Sequence, residues 1–191
     1  LFPSPDMAQG ILDAYYRPEG RGRGKPYRPH PTLTISPSRA AIELSLAANF
    51  AEVWLAKEGH DGVVGINMLE KIQTANASAI LGAMLGGVDY VIMGAGVPRE
   101  IPRLLTDFAA GRAGRLTIDV AGATTVHRAE LDPVKYLGAD LPLLRRPKFL
   151  AIVSVHVLAT YLNRDEATRP DGFVVEGPRA GGHSAPPRGR M

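Results

Sequence analysis

Four short apolar runs recur along this chain: VVGINML (63–69), VDYVIMGAG (88–96), FLAIVS (149–154) and GFVVE (172–176). Each is bounded by turn residues, and helix-length segments lie between them. Runs that are apolar at successive positions read as strands buried on both faces, which is the habit of parallel sheets. The intervening segments carry the helical period. Residues 38–58 place Ile42, Leu46, Phe50 and Val53 on one face, with Ser38 as N-cap and Gly59 to close the C-terminus. Residues 75–87 form a small-residue helix ending in a glycine pair. Residues 98–110 put Ile101, Leu104, Leu105 and Phe108 together, with Pro98 near the first turn and Gly111 as the stop. A further helix is expected around 156–163, with Leu158 and Leu162. Strand and helix in alternation predict an α/β fold with a parallel sheet covered on both sides.

Two segments break the rhythm. At 115–135, Leu116, Ile118 and Val120 alternate with polar residues and AGATT turns the chain back, which predicts a surface β-hairpin inserted between the βα units. Residues 1–36, with a Gly-, Pro- and Arg-rich stretch at 17–31, are expected to be irregular. A chain of 191 residues, 45% of them hydrophobic, suits one domain. The formal charge of +3 comes from 22 basic and 19 acidic residues, a near balance that disfavours nucleic acid as a partner. Arg17, Arg21, Arg23 and Arg28 cluster, but glycine and proline separate them, and a solvated loop accounts for them.

The absence of cysteine excludes disulfides, thiolate nucleophiles and cysteine zinc sites, and makes the cytoplasm the default compartment. No apolar run approaches the ~20 residues of a membrane span, so no membrane partner is expected. No set of His, Asp and Glu shows ligand spacing, so no metal is expected. The chain opens on Leu1 rather than methionine, which suggests that its true beginning is missing.

In parallel α/β architectures, ligands sit at the carboxyl ends of the strands, where loops vary over a rigid sheet. Those ends carry Asn67, Glu70 and Lys71, then Gly94-Ala95-Gly96, then Ser154 and His156, then Glu176 and the loop Gly181-Gly182-His183. Glycines let backbone N–H groups approach a phosphate or a ring edge, and Asn and Lys supply oriented donors. An imidazole with a pKa near ~6.5 exchanges protons at neutral pH, which makes His183 the candidate acid–base group. Plain readings stand beside these. A lone histidine in a Gly/Pro loop also suits a surface, Asn67 also caps a turn, Lys71 also sits in solvent, and Gly94-Ala95-Gly96 also serves only to turn the chain.

The segments GVVGINMLEKIQ (62–73), GVDYVIMGAGVPREIP (87–102), FLAIVS (149–154) and DGFVVEGPRAGGH (171–183), in this order and spacing, resemble the nitronate monooxygenase family. The likeness spans roughly residues 38–189, and AGGH after the strand FVVEG is its most specific part. The resemblance implies a (β/α)8 TIM barrel that binds FMN and oxidises alkyl nitronates or nitroalkanes to carbonyl compounds and nitrite with O2. It implies flavin contacts at Asn67, Lys71, Ser154, Glu176, Gly181 and Gly182. His183 would remove the α-proton of neutral nitroalkanes or orient the nitronate. Residues 1–191 would be the central part of one such FMN-binding barrel, incomplete at both ends and carrying the hairpin. Enoyl-acyl-carrier-protein reductases, which share this fold, flavin and a similar Gly-Gly-His loop, are the enzymatic alternative. A non-catalytic flavin-binding or inert piece is the other. The family usually has glutamine where Glu176 stands and an acid where Arg179 stands. An ionised carboxylate only accepts hydrogen bonds, so the departure at Glu176 changes what that position offers a flavin.

Overall fold

A computed structural model describes residues 2–139, 141, 143–177 and 179–180. Ser38 accepts a hydrogen bond from the Ala41 N–H at 3.2 Å and opens the long helix α2, Arg39–Ala56. Its stripe of Ile42, Leu46, Phe50 and Val53 is buried as the period requires. Helix α2 ends three residues before Gly59, whose φ of 79° turns the chain toward β1, Gly65–Leu69. Then follow α3 (Gln73–Leu85), β2 (Tyr90–Gly94) and α4 (Ile101–Ala109). Pro102, rather than Pro98, sits in the first turn of α4, and Gly111 at φ 68° closes it.

Strands β1, β2, β5 (Lys148–Val153) and β6 (Gly172–Val175) form one all-parallel sheet in the order β1-β2-β5-β6. Between β2 and β5 the chain leaves the sheet for an antiparallel pair, β3 (Gly114–Ile118) with β4 (His127–Leu131), and a short helix α5 (Pro133–Leu137). The hairpin is therefore present at its expected place, but it is more than surface: Leu116, Ile118 and Leu131 are buried, and Leu116 and Leu131 join the main core. Helix α6 (His156–Leu162) follows β5.

Segment 1–36 is not wholly irregular. Pro5–Tyr15 forms α1, with Pro5 and Asp6 in its first turn, Met7 buried, and Phe2 packed on Phe50 of α2. Ordinary helix-start chemistry outweighs the Gly/Pro/Arg-rich composition that begins only at Arg17.

Among the described residues the sheet is covered on one side, over β1, β2 and β5, and not on two. Val91, Met93, Phe149, Ala151 and Val153 share one strand parity and enter a single core with α2, α3, α4 and Leu162 of α6. Residues of the opposite parity, Leu69, Ile92, Leu150, Ile152 and Val174, are half-buried and outside that core, and Asn67 beside them is exposed. An apolar sequence run marks burial but does not say what lies over each face. Gly65, Gly94 and Gly172 lie on the second parity, and neighbouring strands' side chains, Ile152 beside Gly94 and Leu150 beside Gly172, lean into the room they leave.

At the amino ends of the strands two aspartates tie the sheet together. Asp89 accepts from Lys57 Nζ at 2.5 Å, from the Val64 N–H at 2.9 Å and from Arg145. These donors, Lys57 foremost, hold its carboxyl well below the usual range. Asp171 repeats the device at β6 with Arg146 at 2.8 Å, the Phe149 N–H at 2.9 Å and Lys148 at 3.2 Å. Burial alone would raise the Asp171 carboxyl, but these donors outweigh it and its pKa is lowered. Each aspartate thus satisfies a backbone N–H at the start of a neighbouring strand.

Candidate functional site

The carboxyl rim of the sheet is built from the ends of β1, β2, β5 and β6. Glu176 donates its N–H to the Val153 carbonyl at 2.9 Å, which sets it beside Ser154 on the adjacent strand. Both residues are half-buried, and both continue the open-face parity of Ile152 and Val174. Asn67 shares that face. Its register, however, matches Ile92, Leu150 and Gly172, four residues below Glu176. Three strand spacings and four residues of rise separate Asn67 from Glu176 by roughly 14 Å across the sheet and roughly 13 Å along it. The structure therefore brings Ser154 and Glu176 together directly and places Asn67 on the same face at a distance. Lys71 lies in the exposed turn after β1, and His156 is exposed at the first turn of α6. Gly181, Gly182 and His183 lie outside the described residues.

The loop Gly94-Ala95-Gly96 does not offer an open glycine cradle. A Cβ on Gly94 would press on Ile152 Cβ at 2.9 Å, so this glycine makes room for the neighbouring strand's isoleucine. The space over Gly96 is filled by the Glu70 side chain, whose carboxylate a Cβ there would overlap. Ala95, buried between them, sits at φ 57°, in the left-handed region that costs a non-glycine residue on the order of 1 kcal/mol. The strain buys a tight reversal that brings Gly96 against Glu70.

A polar network missed by the sequence reading stiffens this rim. Asn76, 4% exposed inside apolar α3, donates to the Leu69 and Glu70 carbonyls at 3.2 and 3.3 Å, closing the end of β1. Gln73 donates to Glu70 at 3.1 Å and accepts from the Asp119 N–H at 2.8 Å, linking the rim to the hairpin. Glu100 accepts from the Thr117 N–H at 2.7 Å and its hydroxyl at 3.0 Å. The polar Asn76 in the small-residue run NASAILGAML was the available signal. The cavity these residues enclose is about 40 Å³, room for little more than a water.

The fit to a flavin is thus divided. An isoalloxazine edge would find Ser154 and Glu176 at the rim, above the apolar Leu150, Ile152 and Val174, whereas Asn67, level with Leu150 on the same face, lies too far away to share that edge. The end of β2 supplies no phosphate cradle, and the Gly181-Gly182 pair lies outside the described residues. Among the described residues no group of three or more His, Cys, Asp or Glu is placed to hold a metal ion, and no helix is long and apolar enough to cross a membrane. Compared with family models, curated proteins and solved structures, the chain matches none.

Proposed function

We propose that this chain is part of an FMN-dependent (β/α)8-barrel oxidoreductase acting on alkyl nitronates or nitroalkanes. The observation that carries the reading is the common face of Asn67, Ser154 and Glu176. Three positions assigned by resemblance fall on the one side of a parallel sheet that no helix of the core covers, Ser154 and Glu176 at its carboxyl end and Asn67 midway along β1. A barrel interior has these properties: strands parallel, helices outside, ligand groups at the carboxyl mouth. The four strands would be an arc of such a barrel, and Leu69, Ile92, Leu150, Ile152 and Val174 would face its interior.

When bound, FMN would supply the electron-transfer chemistry between nitronate and oxygen, and Ser154, Glu176 and the Gly181-Gly182 pair would hold it. The chain's own part is binding and proton handling. His183 takes the α-proton of a neutral nitroalkane, or donates a hydrogen bond to the oxygens of a nitronate already formed. The apolar open-face side chains exclude water below the mouth, which strengthens each polar contact at the rim. Glu176 and Ser154 would hold the cofactor's edge, where an ionised carboxylate would accept a hydrogen bond.

Visible absorbance of the full-length protein tests this. Yellow colour that bleaches on anaerobic addition of a nitronate, but not of NADH, is the expected result. Bleaching by NADH would favour the enoyl reductase chemistry, and a colourless protein that gains no flavin on titration would refute a flavin role.

A further inference from the structure

On the helix side of the sheet, opposite the face of Asn67 and Glu176, an open groove of about 840 Å³ runs between α4, the hairpin and the end of α6. Five arginines line it, delivered by separate elements: Arg99 before α4, Arg103 on it, Arg115 on β3, Arg128 on β4 and Arg164 after α6. We propose that this groove binds a small phosphate-bearing molecule, a second site independent of the flavin reading.

Guanidinium groups repel one another, so their convergence is stable only if carboxylates, solvent or a bound anion offset it. The carboxylates do so in part. Arg115 pairs with Glu130 at 2.9 Å, and Arg103 approaches Asp107 at 3.9 Å. Asp107 is mainly held by Arg112 at 2.8 Å, outside the groove lining. Glu100 is taken up by Thr117, and Asp165 accepts the Ala167 N–H at 3.0 Å. That leaves Arg99, Arg128 and Arg164 with no carboxylate partner among the described residues. The Arg99 guanidinium donates to the Tyr161 hydroxyl at 3.1 Å.

Three forks without carboxylates suit phosphate, whose oxygens accept paired N–H bonds from guanidinium. The volume lies within the usual ~300–1,000 Å³ of small-molecule sites. Tyr161, 41% exposed beside Arg99, offers an aromatic face for an organic portion. A nucleic-acid strand fits less well. Glu100, Asp107 and Asp165 interrupt the positive lining and would meet a continuous phosphate track, and the whole chain carries only +3.

Calorimetric titration of the full chain with inorganic pyrophosphate, ADP, adenosine and a single-stranded dT12 oligonucleotide tests the proposal. Pyrophosphate and ADP should bind saturably and adenosine should not. Arg128→Gln and Arg164→Gln should each weaken both by about tenfold or more, the scale of one lost charged hydrogen bond. Arg21→Gln, in the loop before α2, should leave binding unchanged. Both groove arginines are at the surface, so unaltered circular dichroism should accompany the loss. No binding at millimolar pyrophosphate, or equal weakening by Arg21→Gln, would overturn the site. Tighter binding of dT12 than of ADP would overturn the ligand class in favour of a nucleic-acid backbone.

Discussion

Replacing Gly82 by alanine should destabilise the protein, although alanine in a helix interior is ordinarily the better residue. Gly82 lies within α3, where a glycine costs about 1 kcal/mol relative to alanine. Its missing side chain lets α2 come close. A Cβ there would overlap the Leu46 carbonyl oxygen and stand 3.1 Å from Asn49 Cβ. The obstacle is backbone, so no rotamer change relieves it. Helix α2 must back away, loosening the packing of Ile42, Leu46 and Val53 against Ile80, Leu81 and Met84. Overpacking of this kind costs ~1–3 kcal/mol, and a backbone obstacle argues for the upper end. Setting about 3 kcal/mol against the about 1 kcal/mol that alanine gains leaves a net loss of ~2 kcal/mol. For a chain of this size that lowers the thermal midpoint by ~4–8 °C. Gly10, within α1 and with nothing within 4 Å of a Cβ, is the control: Gly10→Ala should be neutral or slightly stabilising. Urea unfolding of both variants beside the parent measures the difference. A Gly82→Ala protein as stable as the parent would falsify the close approach of α2 and α3.

Asp89 and Asp171 are held below the ordinary carboxylate range when folded, so the stability they contribute is present above about pH 4 and is lost as the pH falls through their folded values. Asp89→Asn and Asp171→Asn should lower the urea midpoint at pH 7 and flatten its decline between pH 5 and pH 2; parent-like slopes would refute the role. In the flavin-loaded protein, His183→Ala should retain flavin but turn over neutral nitroalkanes ~10²-fold more slowly, with a smaller loss on preformed nitronate. Unchanged rates on the neutral substrate would remove His183 from that role. Glu176→Gln should preserve or tighten flavin binding, since glutamine both donates and accepts; loss of flavin fluorescence quenching in that variant would show that the carboxylate is required.

The βα order was legible because each apolar run ends in glycine or charge and each helix repeats its apolar face every three to four residues. Ser38 and Gly111 act where the sequence places them. Helix α1 was hidden because the composition of 17–31 coloured the whole segment, although Ser4-Pro5-Asp6 is a helix-start pattern. Helix α5 was hidden within the hairpin's tail, where Asp132 caps Val134 at 3.0 Å. Periodicity could not show which face of the sheet lies open, because Ile92 and Val91 are equally apolar. At the rim, Ser154 and Glu176 were found by strand-end position. Asn76 and Gln73 were not, because the backbone groups they bond, the Leu69 and Glu70 carbonyls and the Asp119 N–H, are brought to them only by the fold.

The sheet's order has a consequence for the route by which the chain folds. Strands β1 and β2, and likewise β5 and β6, pair across one helix each, but β2 meets β5 only after the excursion from α4 through α5. Loop closure costs about 0.6 kcal/mol more for each doubling of length, and non-local parallel pairing is slow to nucleate. The sheet is then two local halves joined along a single late seam. Arg145 and Arg146 stand just before β5 and reach in opposite directions, one to Asp89 at β2 and the other to Asp171 at β6. A dipeptide at the seam thus fastens both halves, and salt, by weakening its attraction to either aspartate, would slow their joining before it loosened the finished sheet.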